Sequence, residues 1–285
     1  MALPELILTD REIYEALAVR VDATKPVNRA LKEQRKSHAL NLSKTLFKQQ
    51  VDFIMDPSKR KAAVCSRRSG KSYSAGRYLI KEALEDAGTT CVYIARTREA
   101  AKRILWSSLK EANLRFRLNI KFNNADLIAI FPNQSKIMFT GANDASDIDK
   151  LRGAAFSLAV LDEAAFFNVN LKELVNEVLT PALLDKDGSL VMISTPNSLC
   201  HGFFYDITEK GTYNFSVHRW TVKDNPHMQH AVRAIKKDID NGILDVTDPS
   251  YKREYLGIWV RDDQEIVYNY GQENLFEDRP VSDKW

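Results

Sequence analysis

Short apolar runs alternate with amphipathic segments along this chain from residue 61 onward. Runs such as AAVCS and TTCVYIA have the composition of strands, and the segment that follows each, SYSAGRYLIKEALEDA or EAAKRILWSSLKEANLRF, has helical spacing. Such alternation is typical of a parallel sheet flanked by helices. The pattern therefore predicts an α/β fold with a doubly wound, mainly parallel sheet.

Four later runs refine the predicted sheet. ADLIAIF and SKIMFTG flank the turn residues Pro132, Asn133 and Gln134, which predicts a hairpin and hence an antiparallel edge. FSLAVLD and SLVMIS are apolar over nearly their whole length, as expected for central strands that are covered on both faces.

The two ends of the chain have a different pattern. Thr9 or Asp10 could cap a first helix, and no strand is expected before about residue 45. In the last third, two helical segments separated by Gly242 suggest a small lid-like subdomain. The predicted organisation is an N-terminal helical segment (1–44), a core (45–219), a lid subdomain (220–262) and a tail (263–285).

Composition narrows the picture only slightly. The 285 residues are 44% hydrophobic and 28% charged, as in folded globular chains, and no apolar run approaches the roughly 18 residues of a membrane span. Three isolated cysteines without CxxC spacing favour a reducing, intracellular compartment. A net charge of +3 is too small to establish nucleic-acid binding by itself.

The segment CSRRSGKS (65–72) follows an apolar run and precedes a predicted helix, which is the context of a phosphate-binding loop. Gly70 would let the backbone approach the phosphates, Lys71 would neutralise their charge, and Ser72 could ligate magnesium. The generic motif begins with glycine, whereas this chain has Cys65 there. The alternative is a chance GKS in a turn.

Two further strand ends carry polar side chains. LAVLDEAA delivers Asp162, which would hold Mg²⁺, and Glu163, which would orient or deprotonate the attacking water. The alternative is an acidic first turn of a helix. The run ending in STPN (194–197) could sense the γ-phosphate, or could be an ordinary turn.

Taken together, SRRSGKS, LAVLDEAA and ISTPN, in this order and spacing, resemble the large terminase subunits of tailed bacteriophages. The family's loop has a form close to [SG]R-x-x-GK[ST], so that Arg67 takes its arginine position. The resemblance implies a P-loop NTPase fold with these nucleotide-binding residues: Phe47, Gln50, Ser66, Arg67, Arg68, Ser69, Gly70, Lys71, Ser72, Ser194, Thr195 and Asn197.

Two of the implied roles have plain structural alternatives. LFKQQ (46–50) is similar to the family's adenine-recognising segment, with Gln50 on the base edge, but it could equally be an amphipathic helix with a surface glutamine. Arg152 matches an arginine that reaches a neighbouring subunit's nucleotide, but it could instead pair locally with Asp147 or Asp149.

The resemblance also implies a function. The cofactors would be ATP and Mg²⁺, with Ser72 and Asp162 as metal ligands and Glu163, Lys71, Arg67 and Arg152 as catalytic residues. Hydrolysis would drive double-stranded DNA into a procapsid, with a portal protein and a small terminase subunit as partners. The chain would form a homo-oligomeric ring when assembled, and the isolated chain could be a monomer. It would act in the host cytoplasm and transiently at the procapsid portal. No membrane partner is expected.

Two rival functions remain open from the sequence. One is a helicase-like ATPase that remodels nucleic acid, and the other is a non-catalytic nucleotide-binding assembly module. Nuclease activity is not expected from this chain, because Asp262, Asp263 and Asp278 lie in a polar tail without an apolar strand. The tail would lead towards a nuclease domain that this chain does not include.

Overall fold

A computed structural model describes residues 44–143, 145–149 and 151–262 of the chain. The expected helices before residue 44, with their cap at Thr9 or Asp10, lie outside these described residues. So does the tail from residue 263 onward, which includes Asp263 and Asp278.

The described residues form one eight-stranded sheet, in the spatial order β3-β4-β5-β2-β6-β7-β1-β8. In this spatial order, every neighbouring pair between β5 and β8 is parallel. The pairs β3–β4 and β4–β5 are antiparallel. The strands are β1 (Arg60–Cys65), β2 (Thr90–Ala95), β3 (Lys121–Asn123), β4 (Ile128–Ile130), β5 (Lys136–Gly141), β6 (Leu158–Asp162), β7 (Ser189–Ser194) and β8 (Ser216–Trp220).

Helices connect the strands. The α-helices are α1 (Lys48–Met55), α2 (Lys71–Glu85), α3 (Arg98–Ala101), α4 (Ser107–Phe116), α5 (Ala145–Asp149), α6 (Leu171–Glu173), α7 (Thr180–Leu184), α8 (Phe203–Glu209), α9 (Gln229–Asp240) and α10 (Pro249–Leu256). π-Helical turns join α3 to α4 and α6 to α7 (Lys102–Trp106 and Leu174–Leu179), and short 3₁₀ turns span Ala164–Phe166, Thr212–Asn214, Val222–Asp224 and Pro226–Met228. None of the described helices is long and apolar enough to cross a bilayer.

Both faces of the sheet are buried, because alternate residues of each central strand enter different cores. On one face Tyr93 of β2 packs with the apolar side of α2 and with α4. On the other face Val92 and Ile94 pack with the helical segment around Leu174–Leu179 and with α8. A sheet covered in this way is the predicted doubly wound arrangement, and the α/β prediction is confirmed.

The antiparallel edge is also present where it was predicted. β4 and β5 form the hairpin around Pro132–Gln134, and β4 pairs with β5 through Ala129 and Ile137. The three-residue strand β3 extends this edge further. It was not predicted, because three residues are too few to display a period.

The strand order decides where the site lies. β1, β7 and β6 are adjacent and parallel, and Val64 pairs with Ser194 while Asp162 pairs with Ile193. The carboxyl ends of these strands therefore meet at one edge, where ligands bind in open α/β sheets.

The segment after β7 completes the sheet and then leaves it. β8 pairs parallel with β1, after which α9 and α10 follow as the two helices expected of a lid. α9 is capped by Asn241, and Gly242 follows with a φ of 69°, the left-handed conformation that glycine adopts most easily.

Candidate active site at the carboxyl ends of the strands

The loop between β1 and α2 has a backbone that requires glycine at its last position. Gly70 has a φ of 85° and directly precedes α2, whose free N–H groups begin at Lys71. A Cβ atom at Gly70 would lie 2.7 Å from Nε2 of Gln50. The loop therefore presents a helix N-terminus, a natural site for a phosphate group, with no side chain at its tightest point.

Lys71 and Glu163 form an ion pair across this edge. Nζ of Lys71 lies 2.8 Å from Oε1 of Glu163, and only 11% of the lysine side chain is exposed. Burial opposes the charged form of Lys71, but the carboxylates of Glu163 and Asp162 outweigh it and raise its pKa. The lysine is thus a cation already directed at the strand ends.

Asp162 is fully buried at the end of β6. Its Oδ1 accepts a hydrogen bond from the backbone N–H of Glu163 at 2.9 Å, and its Oδ2 accepts one from the phenol of Tyr93. Burial and the nearby Glu163 raise the pKa of Asp162, while Lys71 and hydrogen bonds from Tyr93 and Ser72 oppose that rise.

The predicted metal ligands Asp162 and Ser72 are therefore neighbours. Among the described residues no cluster of three His, Cys, Asp or Glu side chains could hold a metal ion. Magnesium nevertheless keeps most of its waters and needs only one or two protein oxygens. A buried carboxylate beside a serine hydroxyl, at the start of a phosphate-facing helix, fits that requirement.

Glu163 is held by the segment STPN on the neighbouring strand. Its Oε2 lies 3.4 Å from both Ser194 Oγ and Thr195 Oγ1. The next turn is tied to the same segment, because Asn197 Nδ2 donates to the Ala165 carbonyl at 2.8 Å. The structure thus brings together the acidic strand end and the polar strand end that the sequence suggested separately.

The glutamine of α1 reaches the phosphate-binding loop. Gln50 is 2% exposed, and its Nε2 donates to the Gly70 carbonyl at 2.9 Å. Phe47 precedes α1 and packs at the margin of the core. The alternative of a surface glutamine is therefore wrong, since this side chain is buried against the loop.

The two arginines of the loop are exposed, but Arg67 has a partner in α10. Its backbone N–H donates to the Glu254 carbonyl at 2.7 Å, and its guanidinium forms an ion pair with the Glu254 carboxylate. That pairing raises the pKa of Arg67. Arg68 has a φ of 58°, in the left-handed region.

The two serines of the loop face inward, and they contact the last residue of β8 and the chain just after it. Ser66 Oγ accepts a hydrogen bond from the Val222 N–H at 2.7 Å, and the Ser69 carbonyl accepts one from Trp220 Nε1 at 3.1 Å. Both serines are fully buried. These hydrogen bonds hold the loop on its buried side.

Asn225 was not predicted as a site residue. Its Nδ2 donates to the Arg68 carbonyl at 3.2 Å, while its Oδ1 accepts from the His227 N–H. Glu254 and Trp220 were missed in the same way, because no local pattern links them to a loop far away in sequence. Tyr93 could have been found, since it is a hydroxyl-bearing residue in the apolar interior of a strand.

Arg152 lies in an exposed turn after α5. Its Nε is 3.0 Å from Oδ1 of Asp149, and about half of its side chain is exposed. Within this chain it therefore makes the local pair that was the alternative to a role at another subunit's nucleotide.

Comparison with known proteins shows consistent similarity. A family model described as "Terminase large subunit, T4likevirus-type, N-terminal" matches residues 63–275. Terminase large subunits of Thermus phage G20c and Thermus virus P23-45 are each 25% identical to this chain over 226 residues, or 74% of the chain. The match covers 41% of each relative, so this chain spans about two fifths of their length.

Solved structures show the same fold. The large terminase of a thermophilic bacteriophage superposes with a TM-score of 0.63 at 18% identity, covering 75% of this chain and 53% of that one. The ATPase domain of the Thermus phage P74-26 large terminase has a TM-score of 0.59 at 22% identity, covering 75% of this chain and 94% of that domain. The first of these two proteins has also been solved with ADP and with ATP-γ-S.

Proposed function

This chain belongs to the terminase large subunit family, and we propose that it is the ATPase motor domain, which hydrolyses Mg-ATP to drive double-stranded DNA into a procapsid. One observation carries the proposal. The Lys71–Glu163 ion pair lies at the N-terminus of α2, beside the buried Asp162. Lys71 as a cation for phosphate oxygens, Glu163 as a base and Asp162 as a metal ligand would thus lie together at the carboxyl ends of the strands.

The ion pair is the resting arrangement of two groups with different tasks. An incoming γ-phosphate would compete with Glu163 for Lys71, because phosphate oxygens carry more charge than one carboxylate. Glu163 would then be released to orient or deprotonate water, the general-base role of that position. Its contacts with Ser194 and Thr195, at 3.4 Å, make the STPN segment the element that would respond to this release.

Ser72 and Asp162 would hold the magnesium ion. When bound, it would supply charge neutralisation for the transferred phosphoryl group. Gln50 lies against the carbonyl of Gly70, which supports a place for the adenine side of the nucleotide near α1. The loop residues Ser66, Arg67, Arg68 and Ser69 would complete the phosphate cradle, with Phe47 and Asn197 at its margins.

Arg152 would act on the nucleotide of a neighbouring copy. Its exposed turn and its weak surface pairing with Asp149 leave the guanidinium available to another subunit. An arginine supplied in trans makes hydrolysis depend on assembly, since transition-state charge is stabilised only when copies meet. The assembled motor would be a homo-oligomeric ring around the DNA, as in the family, and an arginine that acts in trans fits that assembly.

The remaining partners follow from the family. Portal protein, small terminase subunit and duplex DNA are proposed because the relatives are terminase large subunits. DNA contact would be electrostatic and independent of sequence, as a packaging motor requires. The site of action would be the host cytoplasm and the procapsid portal. The domain division proposed for this chain is 1–44, 45–219, 220–262 and 263–285.

The decisive experiment is Mg-dependent ATP hydrolysis measured over a range of protein concentrations. We expect the parent rate per chain to rise with concentration, and Lys71→Ala, Glu163→Ala and Arg152→Ala to lose at least about 100-fold, by analogy with other phosphoryl-transfer sites. Glu163→Ala should still bind nucleotide. A mixture of inactive Glu163→Ala and Arg152→Ala chains should regain activity, because each supplies what the other lacks.

Arg233→Ala, at an exposed arginine on α9, is the matched control and should behave as the parent does. Nucleotide binding without turnover at any parent concentration would favour the assembly module. Turnover stimulated by single-stranded rather than duplex nucleic acid would favour the helicase-like rival. If Arg152→Ala is inactive alone and the mixed chains do not regain activity, Arg152 would act on the nucleotide of its own subunit.

A further inference from the structure

We propose that Tyr93 is a positioning residue for the magnesium site, whose phenol on β2 sets the orientation of the Asp162 carboxylate on β6. The proposal rests on the proposed function, in which Asp162 is a metal ligand. Tyr93 itself is not expected to touch the metal ion or the nucleotide.

The register of the two strands makes this contact possible. β2 and β6 are parallel neighbours, and Tyr93 pairs directly with Val160. Asp162 lies two residues beyond Val160, and therefore points to the same face of the sheet. A diagonal neighbour of this kind is within reach of a long aromatic side chain, and the phenol of Tyr93 donates to Oδ2 of Asp162.

The carboxylate is fixed at both oxygen atoms. Oδ1 accepts the Glu163 N–H at 2.9 Å, and Oδ2 accepts the phenol of Tyr93. Both Tyr93 and Asp162 are fully buried, and a buried acceptor that loses its donor costs free energy. Without the phenol, Oδ2 would lose a fixed partner and the carboxylate could rotate about its side-chain bonds.

Packing alone accounts for the ring of Tyr93 but not for its hydroxyl. The ring packs against Phe139 with centroids 5.6 Å apart, and the rest of the strand, TCV and IA, is apolar or small. A phenylalanine would fill the same space, whereas a buried hydroxyl costs free energy unless it is hydrogen-bonded. Its partner among the described residues is the carboxylate at the end of the neighbouring strand.

Outer partners of this kind orient metal ligands, and their loss typically lowers metal affinity by about 10–100-fold. The test is Tyr93→Phe, which removes the hydroxyl and keeps the ring. We would measure the affinity for a fluorescent ADP analogue without Mg²⁺, and then during a Mg²⁺ titration. Tyr93→Phe should need about 10–100-fold more Mg²⁺ than the parent to reach the same increase in affinity for the ADP analogue. Its affinity without Mg²⁺ should stay within about twofold of the parent value, because the loop between β1 and α2 is unchanged.

The matched control is Tyr78→Phe. Tyr78 is also a buried tyrosine with a hydrogen-bonded hydroxyl, but it lies on α2 with Ser189 as its partner. It should leave the Mg²⁺ dependence unchanged. Thermal melting of all three proteins would check that each is folded.

Three results would overturn the inference. Tyr93→Phe could respond to Mg²⁺ as the parent does, whether or not its melting temperature falls. It could lose Mg-free affinity as much as Mg-bound affinity, which would indicate a general loosening of the site. Tyr78→Phe could show the same shift. If the nucleotide affinity of the parent did not depend on Mg²⁺, Asp162 would have no role as a metal ligand, and Tyr93 would have no role in positioning it.

Discussion

Glu163 combines an ion pair with a strained backbone conformation directly after the end of β6. It is paired with Lys71, and its own backbone has φ 58° and ψ 43°, the left-handed conformation that costs a non-glycine residue about 1–3 kcal/mol. Such strain persists only where surrounding contacts maintain it, here the ion pair and the hydroxyls of Ser194 and Thr195. A carboxylate held in this way is poised to move when Lys71 takes another partner.

A second glutamate, Glu82 on α2, is ionised at a cost. Burial, helped by the nearby Glu85, raises its pKa from 4.5 to about 7. Below pH 4.5 the carboxyl is protonated in both folded and unfolded chains. Between pH 4.5 and 7 the folded protein retains a proton that the unfolded chain has lost, so stability falls as the pH rises, and the full cost is present above pH 7.

Glu82→Gln should therefore stabilise the protein at pH 8 and have little effect at pH 4.5. We expect a gain of about 1–3 kcal/mol at the higher pH, reduced from the full pKa difference because the side chain is partly exposed. The measurement is denaturant unfolding at both pH values. Glu111→Gln, on an exposed face of α4, is the control. An equal gain at pH 4.5 and pH 8 would contradict the assignment.

At the scale of elements, the candidate phosphate-binding loop is held by the last residue of β8 and by the chain that follows it. Ser66, Arg67 and Ser69 contact Val222, Glu254 and Trp220, respectively. The close approach continues just after α10, where a Cβ on Gly257 would lie 3.2 Å from the backbone of the loop's first residues. A movement of this segment would therefore change the loop, which gives the predicted lid a physical connection to the candidate site.

Asn225 tests this connection. Asn225→Ala would leave the Arg68 carbonyl without its donor, and we expect nucleotide affinity to fall by about 3–10-fold, the value of one hydrogen bond of about 1 kcal/mol. Asn225→Asp keeps the acceptor for His227 N–H but loses the donor. It should bind nucleotide no better than Asn225→Ala does. Parent-like affinity in Asn225→Asp would show that only the contact with His227 matters.

At the scale of the whole molecule, three strands that are distant in sequence supply one site. β1, β6 and β7 end beside one another, and each contributes its own polar group. A ligand that contacts all of them would link the central sheet, the phosphate loop and the segment after β8. Binding should therefore stabilise the folded chain as a unit, as any ligand does that prefers the folded state.

ADP at about 100 times its dissociation constant should stabilise the parent by about 2.7 kcal/mol, and raise its melting temperature by roughly 5 °C. Lys71→Ala should show little or no increase at the same ADP concentration, because it lacks the phosphate-facing cation. Thermal melting with and without ADP measures both. An identical shift in the two proteins would mean that the nucleotide binds elsewhere.

The sequence by itself determined the fold class and supplied the main candidate site residues. Buried strands had to be apolar, and the helices between them had to have an apolar face, so alternation of the two was visible without coordinates. The candidate phosphate-binding loop was visible because its glycine, lysine and serine are contiguous. The acidic strand end was visible for the same reason, since Asp162 and Glu163 follow an uninterrupted apolar run.

Only the tertiary structure decided which distant residues support that site. Tyr93 reaches Asp162 across 69 residues, Asn225 reaches Arg68 across 157, and Glu254 reaches Arg67 across 187. The first contact follows from strand order and register, and the other two follow from the packing of the chain after β8 against the loop. None of them leaves a periodic trace in a single chain. Parallel strands that are neighbours in space are joined by long connections, so their partners depend on how the whole sheet assembles.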